Sequence, residues 1–206
     1  MKRALIPVLF CTLALGQSPS SASATLSSDE YSVYAAAINF FLRAGIASHP
    51  LVADHTSTFA CDSGCNGSQT GGCNGLRSKS ETPSARLAKV QGDLPSLDSS
   101  AIRDFEVKNQ ACSEIAPRIP IKNKYVLFSP SHLSGLPEDW KFQDYFYFSR
   151  VGMDSKRNQA LVYIGFMSGT DGSDSGGRYF LFEKTDGSWS RKGTSAVWQL
   201  NAPQHR

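Results

Sequence analysis

Beyond its N-terminal stretch, this 206-residue chain has no apolar run of membrane-spanning length; a helical span needs about 20 consecutive apolar residues. It has no cluster of Lys or Arg, so it lacks the electrostatic footprint of a nucleic-acid or anionic-lipid binder. Histidine is scarce, and His49, His55, His132 and His205 show no metal-ligand spacing such as H-x3-H. No sequence motif calls for a cofactor. Hydrophobic residues make up 40% and charged residues 19% of the chain, which excludes disorder throughout. The length fits one domain.

What is present begins with an export pattern. Lys2 and Arg3 precede an apolar run from Ala4 to Leu15, broken by Pro7 and Thr12, and then the small-residue stretch GQSPSSASA. Ala22-Ser23-Ala24 fits an A-x-A cleavage site. We therefore expect residues 1–24 to be a signal peptide cleaved near Ala24, and residues 25–206 to be one secreted or periplasmic domain. Cleavage removes two positive charges and takes the net charge from +3 to 3 − 2 = +1. Of five cysteines, Cys11 leaves with the signal, and 5 − 1 = 4 remain: Cys61, Cys65, Cys73 and Cys112. An even number in an exported chain predicts disulfides, in any of three pairings. Structural zinc needs two close Cys pairs, and Cys112 has no near neighbour, so no metal site is expected.

The pattern then turns helical. Ser27-x-x-Glu30 is a capping box, and Tyr31, Tyr34, Ile38, Phe41 and Leu42 recur at three- and four-residue spacing up to Gly45. This predicts a helix over residues 28–44 with its aromatic stripe on the core. Leu51 to Thr58 reads as a short strand. Residues 60–80 are Gly, Ser, Asn and Cys with little apolar content, and we expect an inserted, cross-linked surface loop. Residues 83–92 have one weak apolar face and predict a helical turn. Asp98 or Ser99 caps a second helix running to about Cys112, with Ile102, Phe105 and Val107 facing inward.

The last third organises the chain. KYVLFS predicts a strand at 124–129, and further strands are expected at 145–151, 159–168, 178–184 and 188–200, the last interrupted near Gly193. Thr185-Asp186-Gly187 is a tight turn. On the 159–168 strand both faces are apolar at the centre, so both faces should be covered, or one should be a binding surface. Helices early and strands late predict an α+β fold: an antiparallel β-meander with the N-terminal helix packed on it.

Candidate chemistry is sparse. Ser173-Asp174-Ser175-Gly176-Gly177 resembles the nucleophile loop of chymotrypsin-like proteases, but the Gly before the Asp, the Pro after the glycines and the family's Ala-Ala-His-Cys motif are all absent. Asp54-His55 on a predicted strand is a candidate acid/base pair, which needs a further group brought in by the fold. Arg150 lies on one side of its strand with Phe146 and Phe148. Such a charge needs a carboxylate or a route to water. Asp54 is a candidate partner, and an exposed arginine at the strand end is the plainer expectation. A ligand pocket between helix and sheet would be lined by Tyr34, Ile38, Phe146 and Phe148.

A set of motifs adds a resemblance. Ser149-Arg150-Val151-Gly152, Gln159-Ala160-Leu161-Val162-Tyr163, Gly177-x-Tyr179 and Glu183-Lys184-x-Asp186-Gly187-x-Trp189, with Tyr31-Ser32-Val33-Tyr34 and Leu51-Val52-Ala53 upstream, resemble a group of exported bacterial proteins of unknown function. Similar proteins often carry a Cys pair where this chain has GTDGSDSGG, and the Cys-rich insert at 61–73 is particular to this sequence. The resemblance implies export and a shared type of sheet, and no activity. The element order also suits a cystatin-like or nuclear-transport-factor-like roll, which carries no function by itself.

The leading expectation is an exported, non-enzymatic domain that binds a ligand or protein partner in the periplasm or outside the cell. The rival is an exported hydrolase using His55 with Asp54 and a sheet residue such as Ser149 or Arg150. The rival requires His55 to open into a cleft within hydrogen-bond reach of a second polar group. A histidine buried among backbone partners alone would end it.

Overall fold

The computed structural model describes residues 25–45, 50–59, 82–129, 144–167 and 176–199. The expected signal peptide, the Cys-rich insert with Cys61, Cys65 and Cys73, and His49, His132 and His205 lie outside the described residues.

The predicted first helix is α1, Ser28–Arg43. Ser27 Oγ accepts from the Glu30 amide at 3.3 Å, and Glu30 Oε2 accepts from the Ser27 amide at 2.8 Å, so the capping box closes in both directions. Gly45, at φ +69°, follows the last turn in a conformation that side chains with a Cβ rarely adopt. Residues 83–92 form more than a turn. With Thr82 as N-cap and proline in the first turn, they make a full helix α2, Pro83–Asp93. Helix α3, Ser99–Lys108, is capped by Asp98, whose side chain accepts from the Ser100 amide; it stops short of Cys112, and Val107, expected to face inward, is exposed on its outer side.

The described residues form seven strands, the six expected in order and one not expected, β4: β1 Leu51–Ala53, β2 Val126–Phe128, β3 Tyr145–Phe148, β4 Gly152–Met153, β5 Gln159–Met167, β6 Gly176–Thr185 and β7 Ser188–Gln199. They form one sheet in the order β2-β1-β3-β5-β6-β7, with β4 also paired to β5. Strands β3, β5, β6 and β7 are the expected antiparallel meander. The sheet continues differently from the expectation, because β1 runs parallel to both β2 and β3, making the whole sheet mixed. Long connections permit that parallel pairing, and residue types alone do not reveal it. The interruption near Gly193 is a bulge: Leu181 pairs with Gly193, and the next residue, Phe182, pairs with Arg191. The loop motif Ser173-Asp174-Ser175 is outside the described residues, while the glycines that follow it, Gly176 and Gly177, are paired within β6.

Both faces of the sheet are covered. Helix α1 lays Tyr34, Ile38 and Phe41 on Phe146, Phe148, Val162, Ile164, Phe180 and Phe182. Helices α2 and α3 lay Leu87, Val90, Ala101 and Phe105 on the opposite side chains, Leu161, Tyr163, Tyr179 and Leu181. The period-two alternation of β5 therefore feeds two cores, which explains its apolar centre. The result is an α+β fold with its N-terminal helix packed on the sheet.

Candidate functional site

The three parallel strands end together. Asp54 extends β1 by donating its amide to the Phe128 carbonyl at 2.9 Å. Beyond it the expected strand dissolves into a stretch laced alternately to its neighbours. The Asp54 carbonyl accepts from Ile115 at 2.8 Å, and the Thr56 amide donates to Ser113 at 2.9 Å. The Ser57 amide donates to Phe148 at 2.7 Å, and the Phe59 amide donates to Asn109 at 3.1 Å. His55 itself forms an isolated antiparallel bridge with Glu114. Residues 54–59 are thus held on both sides although they belong to no strand.

On this stretch the sequence-predicted pair comes together. His55 Nδ1 lies 3.0 Å from Asp54 Oδ1, with the two side chains 30% and 28% exposed. An ionised carboxylate only accepts, so the ring must donate from Nδ1. In the neutral ring that leaves the Nε2 lone pair free of the carboxylate. Glu114, exposed, sits directly across the bridge. Directly opposed residues on one side of an antiparallel pair are close neighbours, so the rim beside the imidazole is acidic.

Arg150 goes elsewhere, and both expectations for it are corrected. It is neither at the solvent-exposed end of a strand nor paired with Asp54. It is 7% exposed and meets Glu30, itself 1% exposed. Arg150 Nε donates to Glu30 Oε1 at 3.0 Å, and Nη2 donates to Oε2 at 3.1 Å, a two-pronged pairing. Burial acts to raise the Glu30 carboxyl, but the Arg150 hydrogen bonds and the Ser27 amide outweigh it, and the group titrates below its ordinary value. Strands β1 and β3 are indeed neighbours, yet Arg150 extends toward the side occupied by α1.

The pair sits in a closed network. Asn109, fully buried after α3, accepts from the Arg150 amide through Oδ1 at 2.8 Å and donates Nδ2 to the Arg150 carbonyl at 3.1 Å. Its side-chain amide stands in for one peptide of a neighbouring strand. Ser149 Oγ donates to the Arg150 carbonyl at 2.9 Å and accepts from the Tyr163 amide at 2.8 Å. Tyr34 donates its hydroxyl to the Ser149 carbonyl at 2.8 Å, and burial pushes that phenol well above its ordinary range. Glu30 and Asn109 were missed as network members by sequence reasoning. Glu30 was visible as a cap, but its second partner, Arg150, is distant in the chain. Ser149 and Arg150 are committed to this network, so neither serves as the sheet residue expected to assist His55.

The expected pocket residues are also placed. Tyr34, Ile38, Phe146 and Phe148 are each 0% exposed. Tyr34 lies 4.6 Å from Phe148, ring centre to ring centre, and Phe41 closes on Phe146 at 5.1 Å. All four side chains are packed into the interior between α1 and the sheet. Cys112 lies shortly after α3, and the other cysteines expected to form disulfides, Cys61, Cys65 and Cys73, lie outside the described residues. Among the described residues no group of three or more His, Cys, Asp or Glu side chains gathers to hold a metal ion. No described helix is long and apolar enough to cross a membrane, which says nothing of a β-barrel.

No family model, curated protein or solved structure matches this chain. The site offers one partly exposed imidazole, oriented by a carboxylate, where three parallel strands end.

Proposed function

We propose that this chain is an exported domain that binds a small ligand or a partner segment at the rim formed by Asp54, His55 and Glu114. One observation carries the reading: the four side chains expected to line an internal pocket are all fully buried in the core, while Asp54 and His55 remain partly open at the strand ends. Convergence of parallel strand ends favours ligand sites for a geometric reason, since connections leaving the strands there leave groups that the ladder does not consume. Export rests on the Lys2-Arg3 start, the apolar run and the Ala22-Ser23-Ala24 site. The resemblance to exported bacterial proteins and the disulfides among Cys61, Cys65, Cys73 and Cys112 belong to the same reading.

The binding test is an amide chemical-shift titration of the mature protein with a library of soluble fragments. Shifts clustered at residues 51–55 and 113–115 are expected; shifts confined to other surfaces, or none, refute the rim. Export is tested by N-terminal sequencing of protein recovered from outside the cytoplasm, where a first residue at or next to Thr25 is expected.

A further inference from the structure

We propose that the rim is a general-base site that hydrolyses neutral or cationic carboxylic esters, with His55 as the base and Asp54 as its positioning residue. The inference rests on the binding reading above and adds chemistry to it.

Three observations converge on it. The Nδ1–Oδ1 contact of 3.0 Å engages one ring nitrogen with the carboxylate and leaves Nε2 outside that contact. A carboxylate in that position both orients the ring and stabilises the imidazolium formed during proton transfer. The backbone under the pair is held by hydrogen bonds to Phe128, Ile115 and Ser113, so the imidazole is mounted on a constrained segment although it lies outside the ladder. The pair is partly open, so His55 is not the buried histidine that would have ended this reading. The contrast with Glu30–Arg150 is instructive: that pair has better-matched geometry and no access, whereas Asp54–His55 has access and an unspent nitrogen.

In the reaction, Nε2 of neutral His55 takes a proton from a water molecule as the water oxygen bonds to the acyl carbon. The carbonyl π pair moves onto its oxygen. When that tetrahedral species collapses, the bond to the alcohol oxygen breaks and the departing oxygen takes the proton back from Nε2. The sum is ester plus water to acid plus alcohol, with His55 returned to its starting form. Substrate class follows from charge. Asp54 and Glu114 flank the ring, so anionic esters are repelled, while neutral and cationic ones are accepted.

The experiment uses the mature chain with p-nitrophenyl acetate and acetylthiocholine as probes, and p-nitrophenyl hydrogen succinate as the anionic control. The expected loss in kcat/KM for H55A is about 100-fold, the lower end of what a positioned general base supplies. Added imidazole should restore part of the H55A rate. D54N should lower the rate, because the ring loses the carboxylate that orients it, and D54E should recover part of the loss. The anionic ester should turn over at least tenfold more slowly than the neutral one. Folding of each variant is checked by its thermal melt. A wild-type rate no greater than that of folded H55A overturns the catalytic proposal. If fragment shifts at 51–55 persist in that case, the binding reading stands alone; if they are absent too, both fall.

Discussion

Glu30 and Arg150 make a pair whose value is set by what happens when one member is removed. Two charges taken from water gain little over a well-packed apolar substitute, but a lone buried charge is costly. R150A should therefore destabilise the fold by about 3–5 kcal/mol, measured by urea unfolding. The acid response has a definite sign. The folded-state pKa of Glu30 is lowered, so its stabilising contribution is complete above its unfolded value, near the ordinary 4.5, and is lost as pH falls through the folded value. Unfolding free energy measured across this range should fall toward acid more steeply in wild type than in E30Q. Asn109 supplies a second residue-scale case. Its amide both donates to and accepts from the Arg150 backbone. N109D removes the donor and buries a charge, and about 2–4 kcal/mol of stability should go with it, whereas a substitution at exposed Arg103, such as R103K, should change the unfolding midpoint little.

At the scale of elements, glycines report how closely helix and strand approach. A Cβ on Gly152 would collide with the Ala101 carbonyl and the backbone of Phe105, so α3 presses directly on β4. A Cβ on Gly193 would meet only Leu94 Cδ2, at 2.6 Å, the end of a side chain that can turn aside. G152A should cost well over 1 kcal/mol, and G193A clearly less, in paired thermal melts. The elements also show what could be read in advance. Helix α1 was legible because its cap, stripe and stop agree. Strands β5 to β7 were legible because alternation and turn residues agree. The parallel placement of β1 was not, because three residues hold no information about direction, and their partners are Val126–Phe128 and Tyr145–Phe146, far along the chain. Helix α2 read as a single turn because its apolar face is narrow, being only Leu87 and Val90 with the stem of Arg86. Of the candidate site, Asp54 and His55 were legible as adjacent polar residues in an apolar stretch. Their exposure, and the diversion of Arg150 to Glu30, depended on which side of the sheet α1 occupies.

Across the whole molecule, the polar network joins the two cores. Glu30 and Tyr34 reach it from α1 on one face, and Asn109 reaches it from the end of α3 on the other, meeting at Ser149-Arg150 between β3 and β4. The faces are therefore not energetically independent. A double-mutant cycle of E30Q with N109A should show a coupling above about 0.5 kcal/mol, although the two side chains touch only through Arg150. Additivity within error would mean that the two layers respond separately.

The order of the strands in space has a consequence for synthesis. Helix α1 and strand β1 leave the ribosome first, yet their resting places on β3, β5 and β6 are encoded after residue 144. Until those segments emerge, Tyr34, Ile38 and Phe41 have nowhere native to go. The nascent chain therefore carries a greasy helix without its seat for most of its elongation, the condition under which exposed apolar surface is open to aggregation and holding chaperones are recruited.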